Sequence, residues 1–365
     1  MVAEITSDLQ RVLAARNPEF VDVLIDAEPM QGDFAQQSLR ERGITFTRVG
    51  VRGRTVFEAT VRADDLDGLA EARGIGRIDH SPTFAPTGMA PSLPPGQAAA
   101  ELAPEVRRST LKEVTGHLGV EEAWEESGTR GEGAVIGVVD TPVDTSHPAL
   151  SHASIARGGP GGAEDHGCWV ASAAVGRETQ TRQGSIRGVA PDADLVTYGA
   201  LRGGAAGIPE IAEGIEFCIE HGADIINLSL GGPHSDLFHD IISDARADGV
   251  VVVTSAGNSG PGGGTISCPA HHAEAVTVGS VGSDEAVAAF SSRGPGYNDA
   301  PRKPDVMAYG GDSRVEDGGH YLEEVVLGAA AGGGGRYLLG TSMSAPQIAG
   351  LAALRVSKLR QMGVE

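Results

Sequence analysis

The residues of this 365-residue chain best suited to chemistry are a serine, a histidine and an aspartate set far apart. Ser342 lies in the run Gly340-Thr341-Ser342-Met343-Ser344-Ala345-Pro346-Gln347-Ile348-Ala349-Gly350. Small residues lead into it, Pro346 suits only a first helical turn, and Ile348, Leu351, Ala352 and Arg355 continue as helix. Ser342 is therefore predicted at a helix N-terminus, where free N–H groups and the dipole favour a developing negative charge. A plain N-cap is the alternative. Asp140 directly follows the apolar run 135–139, and reactive groups of open α/β sheets gather beyond the carboxyl ends of strands. A lone aspartate there is more often a cap or turn residue. His166-Gly167 is similarly weak by itself, because Asp165 beside it makes a simple N-cap a sufficient reading.

Holding such groups in place needs a rigid sheet, and the sequence supplies one. Continuous apolar, β-branched runs at 135–139, 225–230, 250–253 and 276–278 alternate with helical stretches at 208–220 and 236–248. That pattern predicts a parallel sheet covered on both faces. Upstream, Val21, Val23 and Ile25 alternate as a strand, 33–42 reads as a helix ending at Gly43, and 44–61 reads as two strands turning at Arg52-Gly53. Asp64 or Asp65 caps a second helix lined by Leu66, Leu69 and Ala70, and a last strand follows Gly74. This β-α-β-β-α-β order is the ferredoxin-like pattern. Prolines 86, 91, 94, 95 and 104 with Gly88 and Gly96 mark a linker. The predicted domains are thus 1–84, a linker over 85–110, and 111–365.

Composition narrows the function. Lys+Arg number 28 against 49 Asp+Glu, a formal net charge of −21, which disfavours nucleic acid and anionic membranes. Only Lys112, Lys303 and Lys358 are lysines, and an acid-rich, lysine-poor surface suits concentrated salt; a coding bias toward arginine is the plainer alternative. The first residues show neither a basic region nor an apolar one, and no run of 18 apolar residues follows, so a cytoplasmic location is expected. Cys168, Cys218 and Cys268 are odd in number and show no CxxC pair. Cys218 fits a helix core face with Ile211, Ile215 and Ile219. His271-His272 near Cys268 lacks metal-ligand spacing and reads as loop.

Taken together, these motifs resemble the subtilisin-like serine proteases over about residues 115–360. Val138-Val139-Asp140-Thr141 and Ser146-His147-Pro148 match the family's aspartate region, His166-Gly167 opens the histidine motif, and Gly340-Thr341-Ser342-Met343 opens the serine motif. Asn227-Leu228-Ser229-Leu230-Gly231-Gly232, Ser255-Ala256-Gly257-Asn258, Phe290-Ser291-Ser292-Arg293-Gly294-Pro295 and Lys303-Pro304-Asp305-Val306 are further landmarks. The resemblance implies a triad of Asp140, His166 and Ser342, with His166 as general base and Asp140 orienting it. It implies Asn258 in the oxyanion hole with the Ser342 N–H, and substrate binding by Ser229, Leu230, Gly231, Ser255, Ala256, Gly257 and Ser267. The small residues there favour Leu, Met or Phe before the cut. The implied fold is a three-layer α/β domain with a mainly parallel sheet, preceded by a small ferredoxin-like α+β prodomain.

The function implied is a serine endopeptidase made as a zymogen. Its partners would be polypeptide substrates and its own N-terminal prodomain as inhibitor, with self-cleavage between about Phe84 and Thr110. Departures from the family are local. The histidine motif continues Cys168-Trp169-Val170-Ala171-Ser172 in place of Thr-His-Val-Ala-Gly, Pro142 replaces a glycine, and Gln347 a histidine. Cys168 reads as buried packing, with a second nucleophile beside the site as the sharper alternative. Ala149 and Arg182 stand where the family's strong calcium site places ligands, so no metal or cofactor is expected. A non-catalytic peptide-binding or regulatory protein is the alternative that the altered histidine motif leaves open.

Overall fold

Alternating apolar residues near the N-terminus build the sheet that their spacing predicts. The computed structural model describes residues 2–87, 105–296, 302–315 and 321–364. It opens with β1 (Glu4–Ile5), α1 (Ser7–Arg16), β2 (Phe20–Ala27), α2 (Gly32–Glu41), β3 (Phe46–Val51), β4 (Arg54–Arg62), α3 (Leu66–Ala70) and β5 (Ile75–His80). The strand order β1-β5-β2-β4-β3 makes β2 to β5 a ferredoxin-like unit. Two elements extend it beyond the expected pattern. β1 adds parallel to β5, and α1 is capped by the Thr6 hydroxyl. Arg52 and Gly53 turn between β3 and β4 at φ of 47° and 77°, the positive values a two-residue hairpin loop needs. Asp65 makes no side-chain cap; a 3-10 turn, Ala63–Asp65, leads into α3 instead.

The chain continues through β6 (Ala85–Pro86), β7 (Glu105–Thr110), α4 (Leu111–His117), α5 (Val120–Ser127), β8 (Val135–Asp140), β9 (Ser154–Gly158) and α6 (Asp165–Val175). Then follow β10 (Thr179–Gln180), β11 (Ser185–Ile186), β12 (Asp194–Gly199), α7 (Ile208–Glu220), β13 (Ile225–Leu228), β14 (Leu230–Gly231), α8 (Asp236–Ala247), β15 (Val251–Ser255) and β16 (Val276–Val281). The last elements are β17 (Val306–Tyr309), β18 (Asp312–Val315), β19 (Tyr321–Ala329), β20 (Gly335–Leu338) and α9 (Thr341–Gln361). Among the described residues seven strands form one parallel sheet, ordered β17-β16-β15-β13-β8-β12-β9. Its residues sort by face. Ile136, Val138 and Val253 pack with Trp169 and Val170 of α6 and Met343 and Ala349 of α9, whereas Val139, Ile226 and Val252 pack with Ile211 and Ile215 of α7 and Ile241 of α8. The result is the three-layer α/β fold that the β-branched runs require.

The linker differs from its expected bounds at both ends. β6 pairs antiparallel with β14, and β7 lies parallel to β19 over six residues. The prolines stop at Pro104, so the backbone N–H groups of 105–110 are free to join a sheet. Residues 88–104, the centre of the expected linker, lie outside the described residues. No described helix is long and apolar enough to cross a membrane.

The N-terminal unit docks on α7 and α8 through charge. Arg52 reaches Glu216 at 3.3 Å and also pairs with Asp248. Arg54 reaches Asp240 and Asp244 at 3.0 and 3.2 Å, and Arg77 reaches Asp240 at 2.6 Å. Buried Asp79 accepts from the Ser235 hydroxyl and the Leu237 N–H at the start of α8, as well as from the Thr6 hydroxyl. A carboxylate there answers the free N–H groups and positive end of the helix.

Candidate active site

Strand β8 ends on fully buried Asp140, whose Oδ1 accepts from His166 Nδ1 at 2.7 Å and from the Thr141 N–H at 2.7 Å. An ionised carboxylate only accepts, so Nδ1 carries the proton and Nε2 keeps its lone pair. His166 is the second residue of α6. The next residue must be glycine, because a Cβ at Gly167 would lie 2.2 Å from the Thr141 carbonyl oxygen. That close approach sets the helix against the end of β8. His166 Nε2 is buried and, among the described residues, makes no hydrogen bond.

Ser342 is the second residue of α9, after Gly340 at φ 136°. Its hydroxyl donates to the Ser229 carbonyl at 2.9 Å and lies 2.7 Å from Thr87 Oγ1. Pro346 stands inside the helix, not in its first turn. Lacking an N–H, it cannot donate to the Ser342 carbonyl four residues back; the Ser229 hydroxyl does so instead, at 3.1 Å. Asn227 Nδ2 in turn donates to that hydroxyl. A serine at the end of the β13 run thus repairs the helix that carries Ser342.

Asn258 is held by its neighbours. Its Oδ1 accepts from the Thr341 N–H and hydroxyl, both at 3.0 Å, which turns Nδ2 toward the Thr87 carbonyl oxygen, and a short hydrogen bond joins them. Residues 84–87 cross the site as an extended strand. Ala85 and Pro86 pair with Gly231 and Leu230, the Thr87 N–H donates to the Ser229 carbonyl at 3.2 Å, and Phe84 exchanges two backbone hydrogen bonds with Ala206. The buried Phe84 ring stacks edge-on against Phe238 at 4.9 Å and rests on Gly232, where a Cβ would lie 2.7 Å from it.

The residues chosen from sequence therefore converge on one cleft. Ser229, Leu230 and Gly231 line the strand, and the Ser255 hydroxyl makes a short contact with Thr87 Oγ1. Ala256 is buried and its carbonyl accepts from Ser267 N, while Gly257, at φ 104°, donates to Thr341 Oγ1. Ser267 Oγ would meet a Cβ at either Gly231 or Gly257. Phe84, Ala85, Thr87 and Ala206 were missed, and no motif marks them; the proline density beyond is their one signal. Ser342 is fully buried, with the Thr87 hydroxyl set over it.

The altered histidine motif is packing. Trp169 is fully buried, donates to the Val326 carbonyl at 3.0 Å and lies against Gly328 of β19. Ser172 Oγ accepts from the Ala329 N–H. Cys168 is fully buried, and burial pushes its thiol up to about 12, far from a thiolate nucleophile at neutral pH. Ala149 is buried, with its N–H on His147 Nδ1, and Arg182 is exposed.

Comparison with known proteins places this geometry. The model of the subtilase family matches residues 131–365. The major intracellular serine protease of Bacillus subtilis (strain 168) is 34% identical over 253 residues, 64% of this chain and 71% of that protein. Subtilisin DY of Bacillus licheniformis is 34% identical over 240 residues, 63% and 79% of the two chains. The minor extracellular protease Vpr of Bacillus subtilis (strain 168) is also 34% identical, but the match spans only 29% of it. Among solved structures, fervidolysin from Fervidobacterium pennivorans shares the fold, with a TM-score of 0.68 and 23% identity over 93% of this chain and 55% of that one. The prenylagaramide maturation protease PagA aligns with a TM-score of 0.56 and 26% identity over 68% and 83% of the two chains. With its matched segment covering more than half of the sequence, the chain belongs to the subtilase family of serine proteases.

Proposed function

We propose that the chain is an endopeptidase whose triad is Asp140, His166 and Ser342, and whose N-terminal domain is an inhibitory prodomain released by cutting the Thr87–Gly88 bond. One observation carries this: Asn258 Nδ2 donates to the Thr87 carbonyl oxygen while 84–87 pair with both walls of the cleft. In that pose, turning the Ser342 hydroxyl from the Ser229 carbonyl to His166 Nε2 readies it. His166 takes the proton as Oγ bonds to the Thr87 carbonyl carbon, and Asp140 steadies the imidazolium. Asn258 Nδ2 and the Ser342 N–H hold the oxyanion. The C–N bond then breaks, His166 passes the proton to the Gly88 nitrogen, and water hydrolyses the acyl-enzyme by the reverse roles.

The same segment reports preference, because a self-substrate is held as other substrates would be. Thr87 points to a small residue before the cut, replacing the expected Leu, Met or Phe. Phe84 points to an aromatic three positions earlier. Mass spectrometry of the purified chain tests the proposal. Wild type should yield a fragment beginning at Gly88, and Ser342→Ala should remain whole. Cleavage elsewhere refutes the bond, and a wild-type chain that never cleaves would favour the regulatory, non-catalytic reading.

A further inference from the structure

Three histidines outside the triad converge at the junction of the two domains. His234 lies between β14 and α8, His239 is in the first turn of α8, and His271 follows Cys268-Pro269-Ala270. One ring nitrogen from each lies within 4.8 Å of the other two. His234 Nδ1 is 3.0 Å from His271 Nε2, which is 2.9 Å from His239 Nε2. The loop expected at His271-His272 from spacing alone is thus one arm of a cluster, because its partners come from elsewhere in the fold.

The tautomers point to a cation. His234 Nε2 faces Asp236 Oδ1 at 3.0 Å and Asp8 Oδ2 at 3.3 Å. Both carboxylates accept, so Nε2 bears the proton and Nδ1 turns a lone pair into the cluster. His271 Nε2 has either one hydrogen or one lone pair, yet it stands about 3 Å from two nitrogens. A proton serves one of those contacts well, whereas a shared metal ion serves all three lone pairs. A carboxylate behind a ligating imidazole is also the usual outer support of such a site. Zinc at about 2.0–2.1 Å from each nitrogen asks for nitrogens roughly 3.3 Å apart, within a few tenths of an ångström of the two close pairs.

We propose that His234, His239 and His271 bind one Zn2+ ion, with Asp236 and the prodomain residue Asp8 orienting His234. Three imidazoles select a borderline transition-metal ion over calcium or magnesium, which prefer oxygen. The site ties the segment after substrate strand β14 to the loop after Ser267, and Asp8 extends it to α1. The proposal departs from the expectation that the chain takes no metal, and it does not depend on the proposed cleavage.

The test uses the full-length, tag-free Ser342→Ala chain, stripped with a chelator. Titration with Co2+ should give tetrahedral visible bands that saturate at one ion per chain and vanish on adding Zn2+, with Ca2+ and Mg2+ unable to compete. His239→Gln and His271→Gln should each weaken Zn2+ binding at least about tenfold, and Asp236→Asn by about 10–100-fold. X-ray absorption of the Zn2+-loaded chain should count three imidazoles without any histidine substitution, so the test survives a variant that misfolds. No saturable uptake, fewer than three imidazoles, or unchanged affinity in both histidine variants would overturn the proposal.

Discussion

Asn258 shows how one side chain gains a defined direction. An amide can turn either end toward the cleft, but the two donors of Thr341 claim Oδ1, so the N–H end faces it. Asn258→Ala is expected to lower kcat by about 10²–10³ with KM little changed, measured on a chromogenic peptide with the mature protein. An equal loss carried by KM would place Asn258 in ground-state binding instead. Gly232 has a different role, giving space to the Phe84 ring. Gly232→Ala should weaken peptides with an aromatic at that position far more than peptides with alanine there, and comparison of kcat/KM for the two peptides decides it.

At the scale of elements, the docking of β5 on α8 is a chain of satisfied buried groups. Removing Asp79 leaves the Ser235 hydroxyl and the Leu237 N–H without that acceptor, a loss of about 1–3 kcal/mol. Asp79→Ala in the Ser342→Ala background should therefore lower the melting temperature, and with Ser342 intact Asp79→Ala should hasten release, on size exclusion, of the N-terminal fragment that the proposed cut would make. His80, at the end of β5, has its pKa lowered from 6.5, by burial first, with Asp79 opposing and Arg16 assisting. The unfolded chain then takes up a proton at a pH where the folded chain does not. The stability concerned is fully present above about pH 6.5 and is lost as pH falls toward the lowered value. His80→Gln should flatten the decline in melting temperature between pH 7 and pH 5; an unchanged slope would assign that decline to other groups.

For the whole molecule, charge is the governing quantity. A net charge of −21 with three lysines leaves repulsion across the surface that physiological salt screens over about 8 Å and molar salt over about 3 Å. Single repulsive pairs are worth only about 1 kcal/mol at contact distance in water, but many of them weigh against a total stability of roughly 5–15 kcal/mol. The melting temperature of the full chain should accordingly rise from about 0.1 M to about 2 M KCl, a salt that mainly screens. A flat or falling curve would assign the composition to coding bias. The interface follows the same charge pattern, since Arg52, Arg54 and Arg77 of the N-terminal unit meet Glu216, Asp240 and Asp244 of α7 and α8 and Asp248 just after α8.

The sequence by itself determined what is set locally. Continuous β-branched runs have no stable place except a buried parallel sheet, so 135–139, 225–230, 250–253 and 276–278 announced its strands. The segments holding Asn258 and Ser342 were legible through their resemblance to the family's motifs, and the structure adds that Gly257 and Gly340 stand at φ 104° and 136°, values that few other residues adopt. Only the tertiary structure decided what depends on distant partners. Residues 84–87 have no periodicity, and their conformation comes from backbone groups of Ser229 to Gly231 and Ala206 that lie more than a hundred positions away. The six residues of β7 read as linker because a strand is stabilised by its neighbour β19, which composition does not show. His271 carries no spacing signal for the same reason: its loop joins His234 and His239 only because Gly232 and Cys268 exchange two backbone hydrogen bonds.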